Sequence, residues 1–179
     1  MGLKPIMPNV IRNPLIKVML NPTRQSDKSQ KDPRADTCLE LHSQKDWILG
    51  WAALTTLRPN LTQEDFLARK TQLQLDGYHL IGLFKDGKVV SVASYTVSPH
   101  PVFEREMIIH DMSTLVGENS KGYGSELLSF LDQLAVRLNC QRTFVATAKA
   151  ADFYKNNGYV AHATALKKLH ERGLSLDNS

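Results

Sequence analysis

The sequence has few of the features that mark several protein classes. Its two cysteines, Cys38 and Cys140, lie far apart, with no Cys-x-x-Cys pair and no Cys/His cluster. This argues against a disulfide framework or a zinc knuckle and suits incidental thiols in a reducing compartment. No apolar run approaches the ~18 residues that span a bilayer, so no membrane contact is expected. The stretch Leu15-Ile16-Lys17-Val18-Met19-Leu20 is short and carries a charge, which is not how a secretion signal reads. Met1-Gly2 lacks the Ser or Thr at position 6 that N-myristoylation needs, because Ile6 stands there. His42, His79, His100, His162 and His170 show no metal-ligand spacing, so no metal is expected. No internal repeat is visible. The expectation is a soluble, cytoplasmic protein.

What is present suits one globular domain. The chain has 179 residues, 42% hydrophobic and 22% charged, enough to bury a core without staples. The formal net charge of +4 is unevenly placed: residues 1–36 hold seven Lys/Arg and three Asp, and the remainder holds fifteen residues of each sign. The basic character belongs to a leader and not to the body. A basic stripe on the fold, the usual footprint of nucleic-acid binding, is not indicated. Residues 1–36 also hold Pro5, Pro8, Pro14, Pro22 and Pro33. They read as a partly disordered arm, with a domain boundary near Asp36 and a possible docked strand at Leu15–Leu20. Residues 37–179 form the body.

Within the body, Thr37–His42 reads as a first strand. Ser43-Gln44-Lys45-Asp46 resembles a capping box opening a helix with Trp47, Trp51 and Leu54 at helical spacing, ended by Pro59. Thr62 caps a second helix, stopped at Asp76-Gly77. Tyr78–Phe84 and Val89–Val97 form a hairpin around Lys85-Asp86-Gly87-Lys88. Pro99 and Pro101 mark a loop, and Glu106–Leu115 is the next strand. Ser125–Asn139 shows a 3.6-residue apolar period. Thr143–Thr147 is a short strand, Ala150–Tyr154 a short helix and Tyr159–Leu166 a final strand. This order predicts an α/β domain with a layered sheet and helices.

The most informative local feature is Lys121-Gly122-Tyr123-Gly124-Ser125, between a strand and an amphipathic helix. Glycines at such a junction let the backbone turn sharply and a ligand approach closely. The helix start offers unpaired N–H groups and a positive dipole end, which together suit a phosphate. Two rival phosphate motifs fail. Gly117 to Gly122 has P-loop spacing, but Tyr123-Gly124 stands where Lys-Ser/Thr is required. The dinucleotide fingerprint needs a third glycine where Leu127 stands.

Strand, Gly-x-Gly, helix and strand, followed by Ala150-Ala151-Asp152-Phe153-Tyr154 and Asn157-Gly158-Tyr159, resemble the GNAT superfamily of acetyl-CoA-dependent N-acetyltransferases. The resemblance runs from near Thr37 and is specific between Glu106 and Tyr159. It implies a mixed, mostly antiparallel central sheet flanked by helices, and acetyl-CoA as co-substrate. In the signature loop, Asn119 stands where the family has Gln or Arg; Thr147 stands where members often have Asn. The resemblance implies that Met112 and Thr114 bind the pantetheine arm through main-chain groups of a splayed strand. It implies further that Lys121, Gly122, Tyr123, Gly124 and Ser125 cradle the pyrophosphate, with Thr147 also on the cofactor side. Tyr154 would lie near the cofactor sulfur, and Lys155 would meet a phosphate. The helices after the first strand would line the acceptor site, with Thr55, Thr56 and Arg58 near the substrate.

The implied chemistry asks for a base and an acid. An aliphatic amine, with a pKa of about 10.4, is mostly protonated at neutral pH and must lose a proton before attacking a thioester. A carboxylate or water chain can take it, a free strand N–H can hold the developing oxyanion, and a tyrosine hydroxyl can protonate the departing sulfur. Asp111 and Glu106 are the base candidates, and Tyr154 is the acid. Strand alternation places Glu106 and His110 on one face and Asp111 on the other, unless a bulge intervenes; adjacent His110 and Asp111 are then not expected to chelate a metal together. The expected acceptor is a small-molecule amine or a peptide or protein amine. The departures at Asn119 and Thr147 keep a second reading, a non-catalytic CoA-binding sensor or scaffold.

Overall fold

A computed structural model describes residues 36–162. The leader, the strand proposed at Leu15–Leu20 and the last part of the strand proposed at Tyr159–Leu166 lie outside the described residues. The described start of that last segment, 159–162, forms no strand.

The elements follow in the order β1 (Thr37–Glu40), α1 (Gln44–Leu54), α2 (Gln63–Leu75), β2 (His79–Lys85), β3 (Lys88–His100), β4 (Glu104–Thr114), α3 (Tyr123–Arg137), β5 (Arg142–Val145) and α4 (Ala151–Asn156). The strands make one sheet, ordered β1-β2-β3-β4-β5. The first three pairings are antiparallel and β4–β5 is parallel. This is the mixed, mostly antiparallel sheet that the resemblance implies. Among the described residues no helix is long and apolar enough to cross a membrane.

Local chemistry explains most boundaries. Ser43 Oγ accepts the Asp46 N–H at 3.1 Å, and Asp46 Oδ2 accepts the Ser43 N–H at 2.9 Å, closing the capping box of α1. Thr62 Oγ1 accepts the Asp65 N–H at 3.1 Å at the start of α2. Helix α1 ends at Leu54, short of Pro59; the Arg58 N–H still bonds Leu54 O at 3.1 Å in a looser last turn. The proline region after β3 differs from expectation. Pro99 lies inside β3, opposite Arg105, and not in a loop. Strand β2 reaches only Tyr95 on β3, so among the described residues one side of β3 has no partner strand at Pro99, the kind of edge position where a strand tolerates proline.

The sheet buries both faces. Helices α1 and α2 cover one, with Leu41, Trp47, Leu54, Phe66, Leu80 and Val92 in one cluster. Helix α3 covers β3 and β4 on the other, burying Leu127, Leu128, Leu131 and Leu134 near Met107 and Ile109. Trp47 joins three elements of the first layer. It is fully buried, its ring stacks on Phe66 of α2 at 4.7 Å, and its Nε1–H donates to Leu41 O at 2.7 Å just after β1. Cys38 and Cys140 are free thiols. Burial, and then the negative charge of Glu126, pushes Cys38 up to about 12, so it behaves as an inert core residue.

Trp47→Phe keeps much of the stacking surface but strands the Leu41 carbonyl. It is expected to cost about 1–3 kcal/mol, the range for an unpaired buried polar group. Trp47→Ala, which also opens a cavity, is expected to cost about 3–5 kcal/mol. Urea denaturation measures both; a Trp47→Phe protein as stable as the parent would show that the indole bond adds nothing.

Candidate active site

The sheet opens between β4 and β5. The two strands pair only from Glu106–Arg142 to Ile109–Val145. Beyond Ile109, β4 continues to Thr114 bonded to β3, while the chain after Val145 leaves the sheet and turns into α4. Among the described residues, the edge of Asp111–Thr114 that faces β5 therefore has no partner strand. An irregularity in β4 marks the same point. Asp111 lies opposite Ser94, but Ile109 lies opposite Tyr95, so His110 is an extra residue, a β-bulge.

The bulge overturns the simple alternation of faces. His110 and Asp111 both stand against Tyr78, on the side of α1 and α2. The His110 ring stacks on Tyr78 at 5.8 Å, and its Nε2 lies 2.9 Å from Thr96 Oγ1. Asp111 Oδ2 lies 3.5 Å from Tyr78 Oη and 3.4 Å from Ser94 Oγ. Asp111 Oδ1 accepts two bonds from Arg58, from Nε at 2.9 Å and Nη2 at 2.7 Å. The Asp111 N–H in turn donates to Ser94 Oγ at 3.1 Å. The expectation that His110 and Asp111 point apart is thus corrected: an added residue shifts the parity of the strand. Among the described residues no group of three or more His, Cys, Asp or Glu could hold a metal.

The electrostatics follow from burial. Burial, reinforced by the Asp111 charge, raises the Tyr78 phenol far above its usual value, so it stays a proton donor. Partial desolvation against Tyr78 lowers His110 below 6.5, opposed by the Asp111 charge, although the residue keeps an exposed face; its imidazole is mostly neutral at pH 7.

Glu106, the other carboxylate singled out in the sequence, is not brought to the opening. Five residues separate it from Asp111, about 16 Å along a strand. Arg142 of β5 holds it through Nε at 3.0 Å and a second bond from Nη2, with the guanidinium 4.3 Å from the Phe103 ring.

Tyr154 lies across the opening, in α4. It is buried, with ring contacts to Phe153 at 5.1 Å and Tyr159 at 5.5 Å. Burial raises its pKa, and the negative charge of Asp111 raises it further.

The glycine loop divides its work between two residues. Gly122 takes the left-handed turn, with φ +81°, directly before α3. No side chain caps the helix, and its first internal bond runs from Glu126 N–H to Gly122 O at 3.0 Å. The N–H groups of Tyr123, Gly124 and Ser125 lie in the first turn, where the helix itself supplies no acceptor. Gly124 serves close packing: a Cβ there would stand 3.3 Å from the Phe153 ring and 3.9 Å from Met112 Cε. The loop, β4 and α4 thus meet at one point.

The remaining residues flank this point. Lys121 Nζ pairs with Glu118 at 2.8 Å, and Lys85 Nζ lies 5.6 Å from the Tyr123 ring. Thr114 Oγ1 lies 3.0 Å from Ser91 Oγ. Thr147 Oγ1 accepts the Ala150 N–H at 3.0 Å and shapes the turn into α4. Lys155 lies 3.6 Å from Asp152. Tyr78 and Ser94 escaped the sequence reading. Ser94 had one signal, a hydroxyl in the otherwise apolar strand Val92-Ala93-Ser94-Tyr95; Tyr78 had none, because it lies just before β2 and only tertiary packing brings it to Asp111.

Two concavities adjoin these groups. One, of about 810 Å³, lies along β5 and α4 and includes Val145, Thr147, Tyr154 and Lys155. The other, of about 260 Å³, lies between the α1–α2 loop, α2, Tyr78 and Asp111.

The sequence matches the model of the acetyltransferase (GNAT) family over residues 30–159. No curated protein matches it. Solved structures share the fold. A putative acetyltransferase from Agrobacterium tumefaciens aligns with TM-score 0.66 and 19% identity, covering 75% of this chain and 99% of that one. Ribosomal-protein-alanine N-acetyltransferase from Brucella melitensis gives 0.64 and 18%, covering 76% and 99%. Glucosamine-6-phosphate N-acetyltransferase from Arabidopsis thaliana gives 0.62 and 17%, covering 74% and 97%.

The lowered pKa of His110 has a consequence for stability. Below 6.5 the unfolded chain binds a proton that the folded chain resists, so stability rises as pH increases toward 6.5 and is lost as pH falls through the folded value. Replacing His110 by Gln is expected to flatten this slope between about pH 5 and 7. Urea midpoints measured across that window check it; an unchanged slope would mean that the imidazole is not desolvated.

Proposed function

The chain belongs to the GNAT acetyltransferase family, and on that premise we propose that it moves an acetyl group from acetyl-CoA to a primary amine by direct attack. The observation that carries this reading is the opening beyond Ile109 and Val145. It has the free edge of β4 on one side and the start of α4 on the other, with the glycine loop packed against both. An extended thioester arm fits an unpaired strand edge, because Met112 and Thr114 can offer main-chain N–H and C=O groups there. The first-turn N–H groups of Tyr123, Gly124 and Ser125 suit a pyrophosphate. Lys121 and Lys155 are exposed cations near that end, and Thr147 keeps α4 in place beside it.

The two sides of the opening then take different tasks. The acceptor amine arrives from the side of Asp111, which receives its proton directly or through one water. Arg58 and the Ser94 hydroxyl, both donating to it, hold the carboxylate in one orientation. As the N–C bond forms, a main-chain N–H of the free β4 edge stabilises the developing negative oxygen. As the C–S bond breaks, the Tyr154 hydroxyl gives its proton to the departing sulfur. Its raised pKa keeps that proton available at neutral pH. Glu106, engaged by Arg142, serves the sheet and not the reaction.

A free-thiol assay over a panel of amines, with calorimetric binding of acetyl-CoA beside it, tests the whole reading; failure to bind acetyl-CoA would end it. Tyr154→Phe is expected to leave acetyl-CoA affinity unchanged and to lower turnover by roughly 10²-fold, the lower range for general acid catalysis. Full activity across several pH values would assign the proton to water. Asp111→Asn is expected to lower turnover by roughly 10²-fold or more, whereas Glu106→Gln should chiefly lower stability. Equal losses of turnover in the two variants would reject the choice of Asp111 as base.

A further inference from the structure

The 260 Å³ cavity beside Asp111 has a charge pattern that narrows the acceptor. Among the described residues, three charged side chains line it: Asp111, Arg58 and Arg69. Arg58 is already engaged by Asp111. Arg69 is half-buried, on the face of α2 that also carries Phe66 and Leu73, and it pairs with no carboxylate among the described residues. The cavity therefore holds one positive charge beyond its own balance. Its other walls are largely apolar, including Leu57, Leu61, Phe66 and Leu73.

We infer that the acceptor is a free amino acid with an apolar side chain, its amine toward Asp111 and its carboxylate on Arg69. This inference rests on the reading of the cavity as the acceptor side of an acetyltransferase. Charge complementarity supports it. A free amino acid enters as a zwitterion: its ammonium can give a proton to Asp111, and its carboxylate matches the surplus guanidinium. A simple alkylammonium would enter a cavity that is already net positive. Size supports it too. The cavity is small, about 260 Å³, which suits a ligand of amino-acid size. It is below the usual range for drug-sized ligands, roughly 300–1,000 Å³, and does not enclose a large polyamine. A guanidinium is suited to a carboxylate because it can bind both oxygens in one plane.

The test compares L-leucine, leucinamide and 3-methylbutylamine, three ligands of similar bulk that differ at the carboxylate. Binding to the full chain is followed by intrinsic fluorescence, since Trp51 lies 5.5 Å from Phe66 in the cavity wall, and by calorimetry. Both are run without any acyl donor, so the result does not depend on turnover. L-leucine is expected to bind at least about tenfold tighter than either ligand lacking the carboxylate. Arg69→Gln should erase that preference while leaving 3-methylbutylamine and acetyl-CoA binding unchanged. Arg69→Lys should restore part of it. Three results would overturn the inference: equal binding of the three ligands, tighter binding of leucinamide (which would point to a peptide N-terminus), or a preference that survives in Arg69→Gln. No binding by leucine, valine or phenylalanine in a protein that still binds acetyl-CoA would also overturn it, with the acetyltransferase reading left standing. Absence of acetyl-CoA binding in the parent protein would instead count against that reading and overturn leucine as an acceptor with it, and the leucine comparison would then decide only whether the cavity selects a carboxylate.

Discussion

One extra residue in one strand sets the geometry on which the rest depends. At His110, β4 gains a residue that β3 does not match, and directly after Ile109 its pairing with β5 ends. A bulge bends its strand and increases the local twist, which turns β4 away from a short parallel neighbour. The result is a strand bonded on one side and free on the other. A free edge inside a sheet is costly to leave unmatched, so such an opening is a place where another extended chain is expected to bind. The bulge also presents two polar side chains, His110 and Asp111, to the same layer.

The two layers around the sheet serve that opening in different ways. On the α1–α2 side, Trp47 joins the end of β1 to both helices through one buried hydrogen bond and one ring stack. Ser113 Oγ donates to Ala53 O at 2.7 Å and ties α1 to β4. These contacts set the segment after α1, and with it Arg58, over Asp111. The Arg58–Asp111 pair adds little stability, because the arginine is about half exposed, at 52%, and exposed pairs are screened by solvent. Its value is positional: it fixes one oxygen of the carboxylate and leaves the other toward Tyr78 and Ser94. On the α3 side the contribution is closeness. Gly124 lets the Phe153 ring approach the first turn of α3, which brings α4, and Tyr154 with it, to the opening.

The glycine pair shows how two similar residues can have unrelated reasons. Gly122 is needed for a backbone angle, since φ +81° is unfavourable for residues with a Cβ. Gly124 is needed for space, since a side chain there would press on an aromatic ring. Read as a motif, the two look alike, and a phosphate loop explains both. In the fold only the first is a turn, and the second is a packing site at the junction of three elements. Changes at Gly124 therefore act on the position of α4 as well as on any ligand beside the loop.

Much of the architecture was legible in the sequence because its causes are local. Capping residues at Ser43 and Thr62, the Asp86-Gly87 hairpin and the apolar period of α3 act over a few residues, and the element order follows from them. The Gly-x-Gly junction and the Phe153-Tyr154 pair were legible as a family pattern for the same reason: they are short and contiguous. Pro99 was misread because its tolerance depends on where β2 ends, which no local rule contains. The site itself was decided by tertiary structure. Alternation predicted opposite faces for His110 and Asp111, and one unmatched residue reversed that, since strand parity depends on the partner's register. Glu106 and Asp111 looked equivalent on one strand until Arg142 of β5 engaged the first and Arg58 the second. Arg69 and Asp111 lie far apart in the chain and share a cavity only because α2 packs on α1, which itself lies against β3 and β4. Local sequence determined which elements form and which chemical groups they carry. Register and packing decided which of those groups meet, because both depend on contacts between residues that are distant in the chain.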